Sequence, residues 1–207
     1  ASTAHRLLFG GFVVLFIGTV LIALEHLLAD LLGRSPSDPV FHKGLYFAIY
    51  EATLDLFGLA LLAGCVMFMW RRWRGKSSIA TSGADWIVLA AFLLIGVSGY
   101  LIEGLRILYA QTPMPGLSFV GYGASKAFAA VGVDAAGAAE LHIILWWSHA
   151  IMSLALIAAF PFTRLLHSMA GAIHLALPRE PLGFLPIVTL EELEATGRVG
   201  VGEVQHF

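Results

Sequence analysis

The chain has 207 residues, of which 58% are hydrophobic and only 13% charged, about half the charged share of a usual soluble domain. A mean hydropathy of +0.83 excludes a disordered chain and argues against a water-soluble globule. The net charge of −2 leaves no electrostatic footprint for nucleic acid, and the single cysteine, Cys65, excludes a disulfide framework, a Cys-ligated iron–sulfur cluster and a CxxCH haem attachment within these residues. The composition is that of an all-α, polytopic membrane helix bundle in contact with lipid.

A helix crosses a bilayer with about 20 mostly apolar residues, in a range of roughly 17–25. Four segments qualify. Leu7 to Leu24 carries no formal charge and stays apolar to about Leu28. It is too long for a signal-peptide core and no cleavage signature follows, so it reads as a retained span. Residues 29–44 contain Ser-Pro-Ser-Asp-Pro and read as a turn. The second span, Leu45 to Trp70, carries Glu51 and Asp55, and Arg71, Arg72, Arg74 and Lys76 follow it. The third, Trp86 to Ile102, is clean until Glu103 and Arg106. Residues 109–140 are a long connection, Thr-Pro-Met-Pro-Gly and then an Ala/Gly-rich stretch from Gly121 to Ala139. That stretch reads as a short helix outside the membrane or re-entrant, with a fifth span as the alternative. Leu141 to Thr163 is the fourth span; it has no Asp, Glu, Lys or Arg but contains His142 and His149. After Pro178 the chain turns polar, and Thr189-Leu-Glu-Glu192 is a capping-box pattern opening a short helix. The expected organisation is a membrane domain over 1–177 and a cytoplasmic connector or tail over 178–207.

Lys and Arg gather after span two, at Arg6 before span one, and at Arg164 and Arg179 after span four. The opposite loops hold only Arg34, Lys43 and Lys126, with Arg106 near the end of span three. The positive-inside rule then puts both termini in the cytoplasm of a multi-pass protein of the cytoplasmic membrane.

Eight histidines is a high count for so apolar a chain. His149 and His167 are 18 residues apart, which in one continuous helix is five whole turns and about 27 Å, on one face and near opposite membrane surfaces. His5 and His26 bracket span one, about 31 Å apart. Spans one and four run antiparallel in this topology, so His5 would face His167 at the cytoplasmic side and His26 would face His149 at the outer side. Two His–His pairs at two depths suit two stacked b-type haems with both axial positions filled, and hence electron transfer. His42 and His142 are the competitors for the outer iron. Gly10, Gly11, Gly18, Gly96 and Gly99 would admit a flat macrocycle, or equally serve close helix packing.

The segments Leu145-Trp-Trp-Ser-His149 and Phe160-Pro-Phe-Thr-Arg-Leu-Leu-His167 resemble the last haem-binding helix of the respiratory nitrate reductase gamma subunit family of cytochromes b. The chain is also similar to the membrane cytochrome b domain of heterodisulfide-reductase-like iron–sulfur oxidoreductases. That likeness rests on His5-x-x-x-Phe9-x-Gly11-Phe12, on Gly99-Tyr-Leu-Ile-Glu103-Gly-Leu-Arg106, and on Leu141 to His167. Pro186-Ile-Val-Thr-Leu-Glu-Glu-Leu-Glu resembles the connector that leads, in fused members, into a ferredoxin-like domain. The resemblance implies His5, His149 and His167 as haem ligands, a quinone (menaquinone or ubiquinone) as substrate, and iron–sulfur clusters in a partner or further domain on the cytoplasmic side. The gamma subunit pattern has two ligands ten residues apart on one helix, whereas position 15 here is Leu, so His26 rests on geometry alone.

Glu51, Asp55 and Glu103 are costly to leave unpaired in hydrocarbon, by at least ~2.5 kcal/mol each. Glu103 and Arg106 have the spacing of a same-face ion pair. With His142 they are the expected quinone site, between the outer ends of spans three and four, where a proton acceptor must meet a quinol hydroxyl. Two rival readings remain from the sequence: a proton or ion transporter using the three carboxylates, and a passive anchor for a soluble oxidoreductase.

Overall fold

The computed structural model describes residues 2–35, 38–75 and 82–177, and those residues are helical with no strand. Lys76, Arg179 and the capping-box pattern at Thr189 to Glu192 lie outside the described residues. The chain divides into a unit of residues 1–164 and a second beginning at Leu165, each described by itself.

Four helices are long and apolar enough to cross a membrane: α1 (Thr3–Leu31), α2 (Gly44–Trp73), α3 (Gly83–Ala110) and α5 (Ala135–Ala159), the last prolonged by a 3-10 turn at Phe160–Phe162. Between α3 and α5 stands α4 (Phe119–Ala130). At about 18 Å it is too short to span. The fifth-span alternative is therefore not met, and the Ala/Gly-rich stretch is divided: α4 ends at Ala130, and α5 starts at Ala135 on an Asp134 cap whose carboxylate accepts the Gly137 N–H at 2.8 Å. The fourth long helix thus begins six residues before the expected Leu141.

Helix ends follow local chemistry. Ser2 caps α1 by accepting the His5 N–H. Ser82 and Asp85 close a capping box on α3. Gly33 and Gly75, at φ +63 each, supply the left-handed residue just past α1 and α2.

Small residues set the packing of α1 on α2. A Cβ on Gly11 would meet the Leu61 nitrogen at 2.7 Å, and one on Gly64 the Leu8 nitrogen at 2.5 Å, so these backbones touch. Gly18 is filled by Leu54 and Gly96 by Leu62. Of the glycines that suit either a macrocycle or packing, Gly11, Gly18 and Gly96 serve packing; Gly10 faces open space and Gly99 faces His149. Cys65 is fully buried, as expected of an apolar filler. Elsewhere large apolar side chains point outward, Leu45, Ile87, Ile143 and Leu154 among them. That inside-out surface suits a lipid solvent, in which apolar area need not be hidden.

At the basic end, Asp85 is nearly buried and pairs with Arg72 at 3.7 Å and Arg164 at 3.4 Å. Trp70, Trp73 and Trp86 stand there, with the Arg74 guanidinium 4.3 Å over the Trp70 ring. Basic residues and tryptophans at one level are the mark of a membrane interface.

One expectation fails here. α5 stops at Ala159, the chain passes through the 3-10 turn at Pro161, Thr163 is extended, and α6 (Leu166–Ala176) opens the second unit. His149 and His167 are not on one continuous helix, so the five-turn arithmetic does not apply. The physical reason is Pro161, whose ring and missing N–H end the α-helical ladder.

Candidate functional site

Away from the basic end, polar groups gather in one layer. Glu25, 5% exposed, accepts the N–H groups of Val40 at 2.5 Å, Phe41 at 3.0 Å and His42 at 3.2 Å. Three charge-assisted bonds fasten the loop before α2 to the end of α1. They seat His42 in an aromatic cup, edge-on to Tyr46, Phe47 and Tyr50 at 5.7, 5.2 and 4.7 Å. Its Nε2 is 4.0 Å from Glu51 Oε1, and its buried Nδ1 has no hydrogen-bond partner. Burial pushes the His42 imidazole below its ordinary pKa, with the Glu51 carboxylate opposing, so the ring is a neutral proton acceptor at neutral pH.

Arg106 joins α2 to α3. Its Nε donates to Glu103 Oε2 at 2.7 Å and its Nη2 to Glu103 Oε1 at 2.8 Å, a bidentate pair. The same Nη2 lies 3.0 and 3.1 Å from the two Glu51 oxygens, and the Ser118 hydroxyl donates to Glu51 at 2.6 Å. The expected Glu103–Arg106 pair is present, extended by a second carboxylate from α2. The cluster on Arg106 holds one more carboxylate than guanidinium, beside an imidazole.

Asp55, one turn deeper on α2, has a different task. Its Oδ2 accepts the Val120 N–H at 3.0 Å, in the first turn of α4, and so caps that helix from another element. Gly104 makes room for Ala124, and Gly121 for Glu103, so α4 lies against α3. Asp55→Ala should loosen α4 at a cost of about 1–2 kcal/mol. Faster proteolytic nicking near residues 111–134, with unchanged ultraviolet circular dichroism, is the expected readout; wild-type nicking rates would contradict the capping role.

Beneath the arginine layer is His149. Its Nδ1 lies 2.8 Å from the buried Ser98 Oγ, which itself donates to the Ile95 carbonyl at 3.0 Å. A serine proton given to Ile95 leaves Oγ as the acceptor of a His149 Nδ1–H, and Nε2 then carries the lone pair that an iron ligand needs. His26 is posed alike, its Nδ1 2.8 Å from the Ile22 carbonyl. These imidazoles therefore fit axial ligation: one ring nitrogen engaged by the protein, the other available.

The depths do not pair as expected at the outer side. Ser98 precedes Arg106 by eight residues on α3, so His149 lies about 12 Å below the arginine layer. His26 follows Glu25, which holds the loop carrying His42, and His42 faces Glu51; His26 therefore belongs to the arginine layer. His142 also stands high, edge-on to Tyr109 at 5.2 Å, one turn past Arg106. The early start of α5 is the reason, because six extra residues carry His149 about 9 Å deeper. His5 lies near the other end of α1, stacked 5.9 Å from Phe9. His167 is on α6 in the second unit. Residue patterns had not singled out Glu25, Ser98 or Ser118. A glutamate next to His26 and a lone serine in the apolar run of α3 were the available signals.

Known proteins resemble the chain over nearly its whole length. The EtfAB:quinone oxidoreductase of Syntrophomonas wolfei subsp. wolfei (strain DSM 2245B / Goettingen) is 28% identical over 210 residues, 95% of this chain. The chain spans 28% of that relative's length. No solved structure matches. The family described as nitrate reductase gamma subunit matches residues 2–181, nearly the whole chain. Four long apolar helices, two of them bearing histidines, thus have a family, and the chain belongs to the nitrate reductase gamma subunit family.

Proposed function

We propose that this chain is a membrane electron-transfer subunit, a dihaem cytochrome b that links a quinone pool to an iron–sulfur oxidoreductase partner. The observation that carries the reading is His149, whose Nδ1 lies 2.8 Å from the Ser98 hydroxyl, so that Nε2 is the ring nitrogen left for iron. The family match and a quinone oxidoreductase relative support it. Haem b, when bound, supplies one-electron redox chemistry within the low-dielectric layer. His149 serves the outer group, and His5 and His167, each taken by itself, are the candidate ligands for the group on the cytoplasmic side, where both termini lie and the iron–sulfur partner docks. His26 is the α1 candidate for the outer iron, although it stands in the arginine layer about 12 Å above His149, with His42 and His142 at that level as alternates.

The quinone, menaquinone or ubiquinone, is placed against Glu103, Arg106 and His142. There Glu103 exchanges the hydroxyl proton while Arg106 orients the carboxylate, and His42 lies beyond Glu51 toward the loop. The transporter reading is weaker, since Asp55 is committed to capping α4 and both remaining carboxylates to Arg106.

The visible spectrum of the purified protein tests the proposal. Dithionite-reduced b-type bands with two potentials on titration support it, and a colourless protein sinks it. His26→Ala tests the assignment that the helix register strains most. Loss of one haem equivalent places His26 on iron; retention of both removes it and moves the ligand to His42 or His142.

A further inference from the structure

We infer that Ser98 is a positioning residue that fixes the tautomer of His149 and sets the reduction potential of the group His149 holds. This rests on the proposed ligand role of His149. Ser98 is the only serine in the apolar run of α3 from Trp86 to Ile102, is 8% exposed, and faces α5. The hydroxyl has one proton and two neighbours, the Ile95 carbonyl at 3.0 Å and His149 Nδ1 at 2.8 Å. Given to Ile95, the proton leaves an ordered chain in which the Nδ1–H donates to Oγ and the O–H to the carbonyl. Given to Nδ1 instead, it would force the other ring proton onto Nε2, which has no protein partner among the described residues. An unpaired N–H in an apolar setting is the costlier arrangement.

The Nδ1–H to Oγ bond draws proton density from the imidazole and makes Nε2 a stronger donor. A more basic axial ligand favours ferric over ferrous iron. Without the serine oxygen the ligand weakens and the ferrous form gains. Gly99 keeps this face clear, since a Cβ there would only just touch His149 Cε1 at 3.6 Å.

The experiment is potentiometric titration of Ser98→Ala and Ser98→Thr in the full chain, beside His149→Ala. Ser98→Ala should keep both haems and shift the ferrous/ferric ratio of one by about tenfold toward ferrous, an upward move of about 59 mV. The group that moves should be the one His149→Ala removes, and Ser98→Thr should restore the wild-type potential. An unchanged or lowered potential in Ser98→Ala, in a protein whose His149→Ala variant lacks one haem, overturns the inference alone. A merely structural serine would disturb both potentials or neither, which counts against it equally. If Ser98→Ala loses the haem, recovery in Ser98→Thr supports the inference and no recovery overturns it. His149→Ala with both haems retained overturns the ligand assignment and the inference with it.

Discussion

His149→Ala should remove about half of the haem absorbance, and His167→Ala the other half, each leaving one reduction potential where two are expected of the wild type. The two side chains stand on different helices, α5 and α6, with the α-helical ladder ended between them at Pro161. No shared structural defect therefore explains a paired loss. His149 has its Nδ1 engaged by Ser98, which leaves one nitrogen for iron and gives the site a fixed direction. Removing an iron ligand costs far more than removing a packed side chain, and here the packing cost is small. The ring lies beside Gly99 and is half-buried, on the face of α5 turned toward α3. The measurement is the pyridine haemochrome content of each variant, normalised to protein. If both variants keep full haem content, these histidines are ordinary membrane-interior residues and the proposed function loses its ligands.

How much of this the sequence disclosed depends on the range of the interaction. Four spans were legible because bilayer thickness sets a length and hydrocarbon sets a composition, both local properties. The Glu103–Arg106 pair was legible because its spacing is helical and local. Glu51, 55 residues from Arg106 in sequence, was visible only as an unexplained charge, because its partner comes from another helix. Asp55 looked like a relay carboxylate and is a cap, since nothing in α2 reports where α4 will begin. The depth of His149 was misjudged because apolarity, the quantity used to place the helix start, rises at Leu141, whereas the backbone becomes helical at the Asp134 cap. Counting residues gives positions along a helix; the vertical register between helices comes from packing such as Gly11 on Leu61.

Glu103→Gln should slow quinol-driven haem reduction by about 10²-fold or more, the usual contribution of a positioned general base. Dithionite should still reduce both haems at the wild-type rate, because it needs no proton acceptor at that site. The substitution is close to isosteric, and the geometry argues that the fold survives it. Arg106 keeps Glu51 as a charged partner at 3.0 Å, and a glutamine oxygen can still accept from Nε. Removing Arg106 instead would leave two buried carboxylates unpaired, a loss of about 3–5 kcal/mol that would confound any kinetic reading. Quinol oxidation releases two protons with two electrons, so an amide that cannot take up a proton blocks the first deprotonation however well the quinol binds. The expected signature is therefore a fall in kcat with little change in KM, since the size and shape of the side chain are retained. His42 gives the proton an onward direction, with its ring 4.0 Å from Glu51 and its buried Nδ1 without a partner. Quinol kinetics unaltered in Glu103→Gln would confine the Glu51–Arg106–Glu103 layer to holding α2 against α3.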